Sequence, residues 1–186
     1  MSDFHQNGVI STLHNLSNRS LNEIEQELRE YSKDAPIELI LPSLYSELEG
    51  AALKNIVSCL RNVKYLNHIT IGLDKADKSE FIKAKQFFSN LNQPHSVIWN
   101  DSPKMKKLDS DFKKLGIAPN QSGKGKNVWY CMGYTYSRNE AGSVALHDCD
   151  ITTYNRELLA RLVYPVSNPH FNYEFCKGYY PRIREG

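Results

Sequence analysis

Ser143-Val-Ala-Leu-His-Asp-Cys-Asp150 is the stretch from which the rest of the chain can be read. Val144-Ala-Leu146 is a short apolar run of the kind that forms a buried strand, and it leads at once into two aspartates one residue apart. Side chains alternate across a strand, so Asp148 and Asp150 are expected on one side and Cys149 on the other. Two carboxylates that close repel each other, and a cation between them relieves the repulsion. Oxygen-only ligands suit Mg2+ or Mn2+, and Mg2+ commonly combines one or two carboxylates with substrate phosphates. The stretch therefore reads as a metal-assisted diphosphate site at the end of a sheet strand. An acidic strand-to-loop turn is the plainer alternative, because aspartate is a common turn residue.

Working outward, similar strand signals recur upstream. Ile37-Glu-Leu-Ile-Leu41 is a strand candidate that stops at Pro42, since proline cannot continue a ladder. His68-Ile-Thr-Ile-Gly-Leu73 ends at Asp74, and Ser96-Val-Ile-Trp99 is closed by Asn100-Asp-Ser-Pro103. Helical spacing fills the gaps. One helix is expected from about Ser46 to Leu60, with Leu48, Ala52, Ile56 and Leu60 on one face, and another over Lys78 to Leu91. The charge-rich run Lys104 to Leu115 reads as a solvated helix, and a further helix after Lys126 carries Val128, Trp129, Met132 and Tyr136. Ser20-Leu-Asn-Glu23 matches a capping box and opens a helix that runs to about Tyr31. Arg156 to Val163 is a short helix, and Tyr173-Glu-Phe-Cys176 is a last strand candidate. Residues 1–19 read as a polar N-terminal extension.

Strands alternating with helices imply an α/β, Rossmann-like fold, a mainly parallel sheet with helices on both faces. Ligands of such sheets bind beyond the carboxyl ends of the strands. Pro42-Ser43, Asp74 and Asp148-x-Asp150 each follow a strand, so all are expected on one rim.

Bulk properties narrow the function classes. The 186 residues suit one core, and 40% hydrophobic with 24% charged residues is an ordinary globular composition. A net charge of +2, from 23 basic and 21 acidic residues, is too even to point to nucleic acid as partner. No apolar run approaches the ~20 residues that span a bilayer. The start of the chain lacks the regions of a signal peptide, so a cytoplasmic location is expected. Cys59, Cys131, Cys149 and Cys176 show no C-x-x-C spacing and read as free, buried thiols.

Gly123-Lys124-Gly125-Lys126 precedes a helix without the spacing of a P-loop. Glycines there still let backbone amides approach an anion, and Lys124 would add a point charge to a phosphate. A surface turn is the bland reading. His147 should point away from both aspartates, as a packed or solvent-facing residue. Tyr173, Phe175, Tyr179 and Tyr180 around Lys177 read as sheet core or, alternatively, as the lining of a ligand pocket.

Taken in order, Leu41-Pro-Ser-Leu-Tyr-Ser-Glu47, Gly123-Lys-Gly-Lys-Asn127, His147-Asp-Cys-Asp150 and Phe175-Cys-Lys-Gly-Tyr-Tyr180 resemble the nucleotide-sugar half of glucosyl-3-phosphoglycerate synthases and related GT-A glycosyltransferases. The likeness covers about residues 37–182, and Asp3-Phe-His-Gln-Asn-Gly8 is similar to N-termini in the group. It implies that Pro42, Ser43 and Leu44 cradle uracil and ribose, with Glu47 near the acidic end of that loop. Tyr45 and Ser46 stand where the family more often has Asn-Glu. Lys124, with Gly123, corresponds to the lysine of the G-K-G element that contacts the nucleotide sugar. Asp148 and Asp150 correspond to the D-x-D, with Asp150 the direct ligand of Mg2+ or Mn2+. Asp74 would join the nucleotide-sugar site, while Lys177, Tyr179 and Tyr180 match a strand near the donor sugar.

By the same resemblance the donor is UDP-glucose, the acceptor 3-phosphoglycerate, a phosphorylated three-carbon acid, and the anomeric configuration is retained. Family members continue for roughly as long again. The chain is therefore expected to be a single nucleotide-sugar-binding domain over residues 1–186, without the acceptor-binding part and the histidine that completes the metal shell. A non-catalytic nucleotide-binding or protein-interaction module is the competing expectation. An apolar face left exposed would favour a homo-oligomer.

Overall fold

The computed structural model describes residues 19–178. Its core is a four-stranded, all-parallel sheet in the order β3-β2-β1-β4, made by β1 (Ile37–Leu44), β2 (Leu66–Asp74), β3 (His95–Trp99) and β4 (Ser143–Leu146). The helices are α1 (Leu21–Asp34), α2 (Ala51–Leu60), α3 (Lys78–Phe88), α4 (Pro103–Lys114), α5 (Lys124–Arg138) and α6 (Arg156–Ser167). This is the expected α/β, Rossmann-like arrangement, a parallel sheet with helices on both faces. Among the described residues, no helix is long and apolar enough to cross a membrane.

The two faces of the sheet differ in chemistry, and the alternation along β1 and β2 is the cause. Ile37, Leu39 and Leu41 join Ile69, Ile71 and Leu73 in one apolar cluster with Ile24 and Leu28 of α1, Leu53 and Ile56 of α2, and Leu159 and Val163 of α6. The intervening residues Glu38, His68, Thr70 and Gly72 point the other way, towards α5. There the contacts are polar. Thr70 meets Thr135 at 3.5 Å, His68 Nε2 lies 3.1 Å from Ser96 Oγ, and that hydroxyl lies 2.8 Å from the Tyr134 hydroxyl. Arg138 Nε stands 3.5 Å from Glu38, a carboxylate that is fully buried and whose pKa burial raises. Helices thus cover both faces, one through an oily layer and one through a polar seam.

Several local expectations are corrected. β1 does not stop at Pro42 but runs to Leu44. The Ile40 carbonyl accepts the His147 N–H at 3.1 Å, so even-numbered residues of β1 turn their polar groups towards β4. Pairing with β4 ends at Ile40–Leu146, and Pro42 therefore has no ladder partner to deprive of an N–H. The helix expected from Ser46 begins instead as a short 3-10 turn, Tyr45–Glu49, and restarts at Ala51 after Gly50. Tyr173–Cys176 forms no strand. Tyr173 packs edge-on against Phe171, which packs edge-on against Tyr164 of α6, while Phe175 is 65% exposed. Tyr173 and Phe175 are therefore not sheet core. Tyr179, Tyr180 and the Asp3–Gly8 motif lie outside the described residues.

The capping box at Ser20 and Glu23 is formed, with mutual backbone contacts at 2.8 and 3.3 Å. As its charge pattern implied, α4 buries no residue. It is held to α5 by Asp109, which pairs with Lys126 at 2.5 Å and accepts from Tyr130 at 2.7 Å. Those partners hold the Asp109 carboxyl well below the usual range.

Candidate functional site

Because all strands run the same way, their carboxyl ends share one edge, and the site residues gather there. Leu44 and Asp74, the last residues of β1 and β2, are register partners. The β1 exit loop is shaped by Glu47, whose Oε2 accepts from Ser43 Oγ at 3.0 Å and from the Leu44 amide at 2.9 Å. Glu47 thus folds back on Ser43 and Leu44 and sets that loop's shape.

β4 ends at Leu146, so the paired aspartates lie in the turn beyond it and their placement does not follow from strand geometry alone. The alternation survives in burial: His147 and Cys149 are buried, Asp148 is half-exposed and Asp150 is exposed. Cys149 anchors the turn inward, its thiol beside the Ser43 hydroxyl and facing Glu47, and burial pushes its pKa up. His147 packs edge-on against Tyr154, with neither ring nitrogen hydrogen-bonded, and burial lowers its pKa to about 4. It is a packed, neutral imidazole.

Lys124, the first residue of α5, reaches Asp148 at 2.5 Å. Gly123 before it adopts φ +121°, a conformation that favours glycine, and it leaves the helix start without a side-chain cap. The Lys124 helix start, the Ser43 loop and the Asp148–Asp150 turn are therefore one locality. Asp150 is exposed and Asp148, half-exposed, shares its Oδ1 with Lys124; hard oxygen ligands of this kind would suit a divalent cation that completes its shell with phosphate oxygens and water. Among the described residues there is no group of three or more His, Cys, Asp or Glu placed to hold a metal by themselves.

At the end of β2, Asp74 accepts from Asn100 Nδ2 at 2.7 Å and faces the Asn127 amide; burial raises its pKa while these amides oppose the rise. Asn100 and Asn127 were not singled out by sequence. The signal that could have found Asn127 is Gly72, since a glycine inside a strand marks close approach of another element. Lys177 lies on the stretch after α6, among the aromatics described above.

No protein-family model matches the chain, and no solved structure matches it significantly. Two curated relatives do. A glucosyl-3-phosphoglycerate synthase from Persephonella marina is 48% identical over 183 residues, 98% of this chain and 45% of that protein. One from Methanococcoides burtonii is 35% identical over 182 residues, 97% of this chain and 44% of that protein. The chain spans about half the length of the curated relatives it matches. It is thus a homologue, over about half of their length, of the glucosyl-3-phosphoglycerate synthases, a family of glycosyltransferases.

Proposed function

We propose that the chain is the nucleotide-sugar-binding part of a metal-dependent, retaining glycosyltransferase that uses UDP-glucose as donor and 3-phosphoglycerate as acceptor. The observation that carries this reading is the meeting of Lys124, Asp148 and the Ser43 loop on one rim, in a chain 48% identical to a protein of that name. In this reading Pro42, Ser43 and Leu44 hold the uridine, and Glu47 keeps their loop in shape. Gly123 lets the diphosphate approach the first amides of α5, whose dipole favours an anion. Lys124 stands where charge builds on the leaving phosphate oxygens and stabilises it. Asp150 and Asp148 would hold Mg2+ or Mn2+, which supplies Lewis-acid stabilisation of the same charge. Asp74 borders the nucleotide from β2.

A second reading, a non-catalytic module, is favoured by one feature. Trp129, Met132 and Tyr136 follow one stripe of α5 and are 37%, 38% and 86% exposed, a surface suited to further polypeptide.

Calorimetric titration with UDP and UDP-glucose, with and without Mn2+, tests the first reading, together with an assay of glucose transfer to 3-phosphoglycerate. Metal-dependent UDP binding is expected. Absence of binding to any nucleotide sinks the donor-site reading and favours the module.

A further inference from the structure

Asn127 is an unusual residue to find sealed inside a helix–sheet contact. It is 3% exposed, in the first turn of α5, and asparagine favours caps and turns over helix interiors. Its Nδ2 donates to the Gly72 carbonyl at 2.9 Å and its Oδ1 accepts from Cys131 Sγ at 3.4 Å. The same amide faces Asp74. The approach is so close that a Cβ on Gly72 would lie 1.7 Å from Asn127 Oδ1. Residues three apart on a helix share a face, so the Asn127 clamp and Lys124 lie on the same side, one turn apart. The backbone around them is continuous, because the Asn127 amide donates to the Gly123 carbonyl at 3.2 Å.

We infer that Asn127 is a positioning residue: by clamping the first turn of α5 to the end of β2, it aims Lys124 at the donor phosphate beside Asp148. The inference rests on the donor-site reading above. An apolar residue at position 127 would fill the same gap, but it would leave the Gly72 carbonyl and Asp74 without this donor and the helix start without a directional tie. Lys124 lies at the exposed tip of α5, and the clamp one turn later holds that tip where it stands.

The experiment is a double-mutant cycle on UDP affinity in the presence of Mn2+, using Lys124→Ala, Asn127→Ala and the double variant, with melting temperature recorded for each. Asn127→Ser, which keeps a short hydroxyl, runs through the same cycle and replaces Asn127→Ala if that variant is unfolded at the assay temperature. Losing one such hydrogen bond should raise the UDP Kd of Asn127→Ala about tenfold. In the Lys124→Ala background the further rise should be below about twofold, because the residue acts through the lysine. A purely structural asparagine would lower the melting temperature equally in both backgrounds and leave Kd unmoved, or the two losses would multiply. Either outcome overturns the inference while leaving the donor site standing. If the wild-type chain binds no UDP, or Lys124→Ala binds it as wild type does, the donor-site reading itself fails and takes this one with it.

Discussion

Gly72→Ala probes the contact that holds α5 on the sheet. The added Cβ would lie 1.7 Å from Asn127 Oδ1, 2.8 Å from its Cγ and 2.5 Å from Cys131 Sγ. Ordinary contact begins near 3.4 Å, so the amide must withdraw by about 1.7 Å. Both obstructing side chains are buried and hydrogen-bonded, so neither can swing aside freely. Withdrawal strips the Gly72 carbonyl of its donor, a loss of about 1–3 kcal/mol, and overpacking adds about 1–3 kcal/mol. Replacing glycine also restricts the unfolded chain, which offsets about 0.4–1 kcal/mol. The net is a destabilisation of about 1–5.6 kcal/mol, or a melting temperature lower by about 2–22 °C for a chain of this size. Gly133→Ala is the control: it lies in the same helix with nothing within 4 Å of its added Cβ. It should stabilise by about 0.5–1 kcal/mol, as alanine does over glycine in a helix interior. Differential scanning calorimetry reads both. A Gly72→Ala melting temperature within about 2 °C of wild type would refute the close-approach argument.

Asp150→Asn and Asp148→Asn should each weaken Mn2+-dependent UDP binding at least about tenfold while leaving the melting temperature within about 2 °C, since both side chains reach solvent; calorimetry checks both readings. Arg138→Met leaves Glu38 buried without its cation and should destabilise by about 3–5 kcal/mol, an effect that Glu38→Gln in the same chain should largely reverse in urea unfolding. Burial and Arg138 hold His68 below its ordinary imidazole value, so it folds neutral. Below pH ~6.5 the unfolded chain binds the extra proton, and stability falls as pH falls, by at most about 1.4 kcal/mol per pH unit. His68→Gln should flatten that limb of a stability–pH curve, and an unchanged slope would show that other groups govern it.

Much of this architecture was legible because period-two patterning is strong in its strands. His68-Ile-Thr-Ile-Gly-Leu73 spells out both faces of β2, and β1 and β3 pair with it as neighbours in the parallel sheet. The expected shared rim emerged because strands that alternate with helices must run parallel, which sends Ser43, Asp74 and Asp148 to one edge. Other features depend on tertiary context. Pro42 looked like a terminator because sequence cannot say that β4 has already ended at that level. Tyr173–Cys176 has strand composition, yet Tyr173 packs on Phe171, which itself sits against Tyr164 of α6, and Phe175 stays exposed. Asp148 and Asp150 stand in a turn beyond β4, with Cys149 buried between them, a placement that strand alternation cannot reveal. The partnership of Asn127 with Asp74 links residues far apart in sequence, and only Gly72 hinted at it.

The polar seam beneath α5 has a mechanical consequence. Greasy helix contacts tolerate sliding, because one methyl is much like the next. Here a shift of a single residue along the axis would orphan Asn127, Thr135 and Arg138 at once, in a setting where each stranded group is costly. The helix is therefore indexed like a key in a lock, and its exposed tip inherits a fixed address that thermal jostling of the surrounding core cannot gradually blur.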